Sequence, residues 1–239
     1  MNQAQHPDNT QPRRPAVVLL SGGLDSATTL AIASRQGFTC HALTINYNQR
    51  HNAEINAAQR VAEHLNASSH HTIDLDLAAF GGSALTDHNI PVPKPTDTTH
   101  PNNTIPTTYV PARNLVFLSI AAAQAETLGA TDIFTGVNAV DYSGYPDCRP
   151  QFIHALQDTI NLATKAGIQG NNTTIHTPLI NLTKADIIRH GHNLGIDYAI
   201  THSCYDPNRD GLACGRCESC NIRRKGFHDA HIEDPTTYA

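Results

Sequence analysis

Four cysteines lie close together near the C-terminal end of the 239-residue sequence, at Cys204, Cys214, Cys217 and Cys220. Four thiolates can close a tetrahedral zinc site without an open coordination position, so the metal would be structural. An iron–sulfur cluster fits less well, because the bacterial ferredoxin continuation C-x3-C-P is absent. Two disulfides would be unusual in a reducing compartment. The spacing therefore predicts a zinc-binding segment.

A second chemical signal is the hexapeptide SGGLDS, which starts at Ser21. Gly22 and Gly23 can adopt positive φ and lack a Cβ, so their N–H groups can turn toward an anion close to the backbone. The hydroxyls of Ser21 and Ser26 add donors, and a helix that starts near Ser26 adds its positive end. The hexapeptide predicts a phosphate-binding loop, with an ordinary strand-to-helix turn as the alternative. It is neither a Walker A loop nor a G-x-G-x-x-G fingerprint.

Strands and helices alternate around this loop. The apolar pattern predicts a strand at Ala16–Leu20, a helix at Ser26–Gln36, a strand at Phe38–Tyr47, a helix at Asn52–Asn66 and a strand at His71–Leu77. Such a βαβαβ alternation implies a parallel sheet with right-handed crossovers and helices on both faces. The predicted fold class is α/β and Rossmann-like, with ligands beyond the carboxyl ends of the strands.

The regular pattern stops at Phe80–Pro111 and then resumes. We interpret this stretch as a functional loop that is ordered from Thr107 onward, with a disordered insertion as the alternative over Pro93–Asn103. The later elements are predicted as helix Ala112–Leu128, strand Thr131–Val137, helix Phe152–Ala166, strand Thr174–Thr177 and a helix at Thr183–Leu194 that Thr183 caps. The chain is thus divided into a flexible leader at 1–15, an α/β nucleotide domain at 16–200 and a small zinc-binding segment at 201–239.

Composition excludes some classes of function. The 16 basic and 21 acidic residues give a formal charge of -5, which disfavours a protein that coats nucleic acid. No apolar stretch approaches the roughly 20 residues that cross a bilayer. The first 15 residues lack the apolar centre of a signal peptide, which predicts a cytoplasmic location. The basic residues beside the cysteines are expected on a solvated or intersubunit face, with contact to a nucleotide or RNA as the alternative: Arg216, Arg223, Arg224 and Lys225.

The loop after the first strand resembles the PP-loop of ATP pyrophosphatases, which cleave ATP to AMP and pyrophosphate while they adenylate a substrate oxygen. The resemblance implies a fold like that of the adenine nucleotide alpha hydrolases. It also implies ATP binding by Leu20, Ser21, Gly22, Gly23, Leu24, Asp25, Ser26, Ala27, Thr28, Thr29 and Leu30.

Further segments narrow this class. They are Tyr47–His51, Val110–Asn114, Thr135–Val137, Asp141–Arg149, Thr177–Leu179 and the cysteine cluster, in that order. Together they resemble the 7-cyano-7-deazaguanine synthase family over almost the whole chain, from about Ala16 to Phe227. That family uses ATP to convert 7-carboxy-7-deazaguanine and ammonia into the nitrile, a precursor for queuosine in tRNA. The resemblance implies one site that adenylates first the carboxylate and then the amide.

Three residues receive catalytic roles in this interpretation. Asp25 would repel a bare phosphate, so it is predicted to bind Mg²⁺ or to cap a helix. Lys184 is predicted to pair with a phosphate or a leaving oxygen, and the alternative is an exposed lysine at a helix start. Arg113 is predicted to clamp a phosphate or carboxylate, and the alternative is a salt bridge that fixes the loop.

The deazaguanine ring is predicted to bind after the central strand. The expected substrate residues are Asp141, Tyr142, Ser143, Tyr145, Asp147 and Arg149. A carboxylate from Asp141 or Asp147 suits the donor edge of the ring, and a tyrosine suits its flat face. Cys148 is interpreted as a packed thiol and not as a nucleophile.

Two positions depart from the family pattern. Leu24 stands where a polar residue or methionine is common, and we expect its side chain to point into the fold. Ala112 stands where glycine is common, so the sequence does not fix the backbone conformation before Arg113.

The sequence shows no glutaminase-type motif, so free ammonium is the expected nitrogen source, and a homodimer is expected. The alternatives are a PP-loop enzyme of tRNA thiolation or NAD synthesis and a non-catalytic zinc-ribbon module.

Overall fold

Five parallel strands form a single sheet in the computed structural model, which describes residues 13–94, 105–140 and 144–239. The strands are β1 (Pro15–Leu19), β2 (Thr39–Asn46), β3 (Ser69–Asp74), β4 (Asp132–Phe134) and β5 (Thr174–His176). Their spatial order is β3-β2-β1-β4-β5, with β1 in the centre. The predicted parallel α/β sheet is therefore confirmed.

Seven helices accompany the sheet in the described residues. They are α1 (Leu24–Arg35), α2 (Ala53–His64), α3 (Arg113–Leu128), α4 (Pro150–Ala163), α5 (Lys165–Ile168), α6 (Lys184–Asn193) and α7 (Glu218–Ala230). No helix in these residues is both long enough and apolar enough to span a membrane.

The central strand separates two apolar cores because its side chains alternate between the faces of the sheet. Val17 packs in the core that contains Leu118 of α3 and Ile153 of α4. Val18 packs on the other face, with Leu30 of α1 and Val61 of α2. Helices thus cover both faces, as the sequence predicted.

A third core joins the C-terminal segment to the α/β domain. Leu24 of α1, Ile187 of α6 and Phe227 of α7 are buried together in this core. The expectation that Leu24 points into the fold is confirmed, since its side chain is 3% exposed. Thr183 caps α6 as predicted, because its hydroxyl accepts a hydrogen bond from the Asp186 N–H.

Some element boundaries differ from the prediction. The predicted helix Phe152–Ala166 is interrupted at Thr164, whose backbone is extended and whose hydroxyl caps the short helix α5. The sequence pattern also did not predict α7. That helix is mostly polar, and the residues that it buries include Cys220, Arg223, Phe227 and Ala230.

Candidate active site

A cavity of about 200 Å³ opens at the carboxyl ends of the central strands. The residues that follow β1, β2 and β4 line it, among them Leu20, Tyr47 and Thr135. The starts of two helices contribute the cationic residues Arg113 and Lys184. The cavity therefore lies at the edge of the sheet where α/β proteins bind ligands.

The loop after β1 requires glycine at its second position. Gly22 has a φ of +81°, and a Cβ at this position would lie 2.4 Å from the carbonyl oxygen of Glu54 and 2.5 Å from the nitrogen of Ala58. The loop backbone thus packs directly against α2. The His202 N–H donates to the Gly22 carbonyl at 2.9 Å, so the C-terminal segment holds the other side of the loop.

Two serine hydroxyls fix the rest of the loop. The Ser26 hydroxyl accepts from the Ser21 N–H at 3.2 Å and donates to the Gly23 carbonyl at 3.0 Å. Gly23 is the N-cap of α1 and offers no side chain to cap the helix. The first N–H groups of a helix have no intrahelical acceptor, so this end of α1 can bind an anion.

The residues expected to bind ATP divide into two groups. Six of them line the cavity: Leu20, Ser21, Gly23, Leu24, Asp25 and Ser26. The other five lie outside the lining and are buried: Gly22, Ala27, Thr28, Thr29 and Leu30. The Thr28 hydroxyl, for example, forms a 2.8 Å hydrogen bond with the Tyr198 hydroxyl.

Asp25 and Lys184 form a nearly enclosed ion pair in the cavity wall. The Lys184 ammonium donates to both carboxylate oxygens of Asp25, at 2.7 and 2.8 Å. The Lys184 side chain is only 8% exposed, so the alternative of an exposed lysine is wrong. The stem of Lys184 packs against α7 at Gly226, where a Cβ would lie 2.4 Å from Lys184 Cγ. A glycine on α7 therefore makes room for this lysine.

Arg113 begins α3 and lies among aromatic side chains. Its guanidinium carbon is 5.8 Å from the centre of the Tyr47 ring. Burial lowers the pKa of Arg113, but the oxygens of Tyr47, Tyr145, Tyr205 and Asp147 raise it more, and the net shift is upward. The residue is a permanent cation in the cavity wall, suited to a carboxylate or phosphate.

The backbone conformation of Ala112 explains why glycine is common at this position in the family. Ala112 has a φ of +55° and a ψ of +20°, which is the left-handed region. Glycine adopts this conformation without steric cost, whereas alanine does not. The Ala112 N–H donates to the Tyr109 hydroxyl at 3.0 Å. Ala112 therefore keeps the backbone that directs Arg113 into the cavity.

The expected substrate residues lie in different places. Tyr145 is buried and lines the cavity, and its hydroxyl forms a 2.6 Å hydrogen bond with the Thr108 hydroxyl. Asp147 is buried outside the cavity lining, where its carboxylate accepts from the Asn114 N–H in the first turn of α3 at 2.9 Å. Arg149 is exposed just before α4. The remaining three predicted residues lie outside the described part of the chain: Asp141, Tyr142 and Ser143.

The thiol next to Asp147 is inert. Cys148 is 5% exposed, and burial raises its pKa to about 12. A thiol with so high a pKa holds little thiolate, which is the nucleophilic form. The structure thus supports the interpretation of Cys148 as a packed thiol.

Sequence reasoning missed several residues of the cavity. Glu54 in the first turn of α2 lines the cavity, as do His202 and Tyr205 of the C-terminal segment. Burial raises the pKa of Glu54 to about 7, although the charge of Arg113 lowers it. The sequence feature that could have identified Glu54 as a cavity residue is its position three residues after the YNQRH segment.

Arg223 contradicts the prediction that the basic residues beside the cysteines are solvated. It is 3% exposed and lines the cavity. Its guanidinium donates to Asp234 at 3.1 Å, to the Thr201 hydroxyl at 2.8 Å and to the Tyr198 carbonyl at 3.1 Å. These partners, distant in sequence, bury the charge and connect α7 to the preceding segment.

The four cysteines converge as the spacing predicted. Their sulfurs all lie within 4.8 Å of one another, and the Cys204 and Cys217 sulfurs are 4.0 Å apart. Backbone N–H groups point at the sulfurs, with Cys214 N–H donating to Cys204 Sγ at 3.2 Å and Cys217 N–H to Cys214 Sγ at 3.3 Å. Such donors stabilise thiolates, so the site fits a four-coordinate metal ion.

The long loop before α3 is tied to this cluster. The Lys94 ammonium contacts Asp206 at 2.6 Å and Cys214 Sγ at 3.4 Å. Val92 packs in the same apolar cluster as Cys204. The stretch Pro93–Asn103, for which a disordered insertion was the alternative, lies mostly outside the described residues.

A parallel sheet with an anion-binding loop after its first strand is typical of nucleotide-binding α/β proteins. A crystal structure of a 4-thiouridine synthetase in complex with RNA and ATP shares this fold, with a TM-score of 0.51 and 18% sequence identity. The alignment covers 91% of this chain and 50% of that one.

Sequence comparisons then identify the family. The sequence model of the queuosine biosynthesis protein QueC matches residues 15–231. The chain is 64% identical to the 7-cyano-7-deazaguanine synthase of Methylococcus capsulatus, over 94% of this chain and 99% of that protein. It is 60% identical to the enzyme of the same name from Paramagnetospirillum magneticum, over 95% and 99%. The chain therefore belongs to the QueC family, and the resemblance found in the sequence is confirmed.

Proposed function

We propose that the chain is an ATP-dependent ligase that converts 7-carboxy-7-deazaguanine and ammonia into 7-cyano-7-deazaguanine. Relatives with this name match almost the whole chain. The observation that carries the proposal is the cavity that brings together an anion-binding loop, the Asp25–Lys184 pair and Arg113. The family match favours this substrate over those of tRNA thiolation and NAD synthesis.

The first chemical task is to activate a carboxylate. A carboxylate is a poor electrophile, and transfer of AMP to one oxygen turns that oxygen into a good leaving group. Negative charge then develops on pyrophosphate, next to the N-terminal end of α1 and the serine hydroxyls of the loop. Donors fixed in advance at this position stabilise such charge without reorganisation.

Asp25 and Lys184 would act on the phosphates. Asp25 is the residue that would hold Mg²⁺, which carries ATP phosphates in most such sites. The positive charge of Lys184 balances the negative charge of the Asp25 carboxylate in the buried cavity wall. If Asp25 held Mg²⁺, the Lys184 ammonium beside it would be available to neutralise a phosphate oxygen.

Arg113 and Tyr145 would orient the second substrate. The Arg113 guanidinium can bind a carboxylate through two parallel hydrogen bonds. Tyr145 and Phe117 in the cavity lining offer flat surfaces for the deazaguanine ring. The predicted ring-binding roles of Asp141, Tyr142 and Ser143 belong to this proposal, and Asp147 acts through the α3 start that carries Arg113. Arg149 would contact the substrate from outside the described cavity.

The cysteine cluster would hold one structural Zn²⁺. Four sulfur ligands leave no position for substrate, so the ion stabilises the fold and does no chemistry. The segment that it holds contributes His202 and Tyr205 to the cavity and a hydrogen bond to the Gly22 carbonyl. Zinc thus supports the site through the backbone.

The proposal extends to the surroundings of the enzyme. Leu162 and Ile168 are 81% and 78% exposed, and burial of such side chains in a second copy would support a homodimer. Free ammonium as the nitrogen source and a cytoplasmic location agree with a small-molecule enzyme of queuosine biosynthesis.

An assay with the zinc-loaded full chain tests the proposed function. ATP, Mg²⁺, ammonium and 7-carboxy-7-deazaguanine are expected to yield AMP and the nitrile, detected by mass spectrometry. Asp25→Asn should abolish AMP formation while the circular dichroism spectrum stays native. A folded, zinc-loaded chain that makes neither AMP nor nitrile would contradict the proposal.

A further inference from the structure

A second, smaller chamber lies beside the main cavity. Its volume is about 10 Å³, and it shares the lining residues Tyr47, Gln49, Glu54 and Tyr205 with the main cavity. A cavity of this size is near the minimum that holds one water molecule. Ammonia is of nearly the same size and, like water, both donates and accepts hydrogen bonds. The chamber can therefore hold one such molecule next to the substrate cavity.

The residues that line this chamber carry polar atoms without protein partners. Arg50 Nε and His51 Nδ1 are buried and form no hydrogen bond within the described part of the chain. The Arg50 guanidinium is fixed by other atoms, because Nη2 donates to the carbonyls of Asp87 and Ile90 at 3.1 and 3.0 Å. Buried polar atoms of this kind normally have a partner, and a small polar molecule can supply it.

Glu54 stands in the wall that the chamber and the main cavity have in common. No side chain in the described residues forms an ion pair or a hydrogen bond with its carboxylate, and the residue is partly buried. The charged groups near Glu54 are Arg113 on α3 and Cys217 in the C-terminal segment, together with Arg50, which lines the same chamber. A carboxyl group that can ionise thus faces the space between a one-molecule chamber and the substrate.

We propose that this chamber is the ammonium-binding site of the enzyme and that Glu54 is the group that binds ammonium and accepts its proton. The inference rests on the proposed function, since only that reaction consumes ammonia. The ionised Glu54 carboxylate attracts the cation. After the proton has left, Arg50 Nε can donate to the lone pair of neutral ammonia, and this hydrogen bond breaks when the lone pair attacks the substrate.

The step balances without a further reagent. Ammonium passes one proton to the Glu54 carboxylate and becomes ammonia. The nitrogen lone pair forms a bond to the carbonyl carbon of the acyl adenylate, and the bond from that carbon to the AMP oxygen breaks. The nitrogen then releases a second proton to solvent, which leaves the neutral amide and AMP, and the protonated Glu54 returns the first proton to solvent.

Glu54→Gln tests the site because it removes the charge and keeps the shape. The readouts are the KM for ammonium chloride with 7-carboxy-7-deazaguanine, at constant ionic strength, and the kcat/KM for ATP-dependent conversion of the amide to the nitrile. We expect the KM for ammonium to rise about 10- to 100-fold, the range for loss of a hydrogen bond to a charged group. Conversion of the amide consumes no ammonia and should stay unchanged. Glu63→Gln, at an exposed position of the same helix, is the matched control.

The outcomes separate this inference from the proposed function. If wild-type protein makes no nitrile, both fail. If wild-type protein is active and Glu54→Gln leaves the KM for ammonium unchanged, the ammonium site alone is wrong. An equal loss in the amide reaction would also overturn it, because it would show a general role for Glu54 in adenylation.

Leu85 provides an independent test. It lines the small chamber and not the main cavity, so Leu85→Val enlarges the chamber alone. We expect wild-type protein to use methylammonium poorly and the variant to raise the kcat/KM ratio of methylammonium to ammonium about tenfold. An unchanged ratio in folded Leu85→Val protein would contradict binding of the amine in this chamber.

Discussion

Substitution of Gly226 by alanine should disable the enzyme without contact with any substrate. The new Cβ would lie 2.4 Å from Lys184 Cγ and 2.9 Å from Lys184 Cβ and Ile188 Cδ1. Carbon atoms in contact are normally about 3.5–4.0 Å apart, so the overlap with Lys184 Cγ is about 1 Å or more. Either α7 moves outward or Lys184 leaves the 2.7 Å contact with Asp25.

The effect on stability should be small compared with the effect on activity. Alanine is favoured over glycine in a helix by about 1 kcal/mol, whereas overpacking of a core costs about 1–3 kcal/mol. The net loss in the free energy of unfolding is therefore about 0–2 kcal/mol. A misplacement of about 1 Å at a reacting group can lower the rate about 100-fold. We expect kcat/KM for AMP formation to fall about 10- to 100-fold.

A double-mutant cycle with Lys184→Met shows whether the loss acts through the lysine. AMP release and thermal unfolding are measured for each single variant and for the double variant. Gly226→Ala should cost no further activity once Lys184 is methionine. Lys225→Ala, on the exposed side of the same helix, is the control and should keep full activity. Additive losses, or full activity of Gly226→Ala, would refute the reasoning.

Three further predictions concern stability. Ala112→Gly should raise the free energy of unfolding by about 0.5–1 kcal/mol, because the left-handed conformation costs alanine roughly 1–2 kcal/mol and the greater entropy of glycine in the unfolded chain offsets part of the gain. Urea unfolding measures this change. A loss of stability would contradict the strain at Ala112. The pKa of Glu54 is about 7 in the folded state and near 4.5 in the unfolded chain. Because the folded state holds the proton more tightly, the free energy of unfolding falls as pH rises through this window. The stabilisation by Glu54→Gln should therefore be about 1–2 kcal/mol larger at pH 8 than at pH 5.5, and equal stabilisation at both pH values would show that the pKa is not raised. Removal of the metal with a chelator should expose the C-terminal segment and the residues around Lys94 to hydrogen exchange before the sheet exchanges. The reason is that Lys94 is hydrogen-bonded to Asp206 and Cys214. Earlier exchange in β1 would contradict this order.

The sheet and its phosphate loop could be predicted because their signals are local. Short apolar and β-branched runs located all five strands to within a few residues, and the glycines and serines after β1 indicated the loop. The cysteine spacing likewise predicted that the four ligands converge, and the sulfurs do lie within 4.8 Å of one another. Each of these features depends on residues near one another in the sequence.

The missed features depend on partners far apart in the sequence. Arg223 looked like a solvated residue, and only Asp234, Thr201 and Tyr198 explain its burial. Glu54 lies in the first turn of an ordinary amphipathic helix, and the packing of α2 against Gly22 brings it to the cavity. Asp147 was expected to face the substrate, yet its carboxylate binds the first turn of α3. No periodic pattern encodes such contacts.

The fate of the two carboxylate oxygens tests the central claim most directly. A carboxylate has two oxygens and a nitrile has none, so each oxygen must leave with one AMP if the site adenylates both the acid and the amide. With 7-carboxy-7-deazaguanine labelled with ¹⁸O at both carboxylate oxygens, we expect two AMP molecules per nitrile, each with one ¹⁸O. ADP as the nucleotide product, or unlabelled AMP beside the nitrile, would contradict the account.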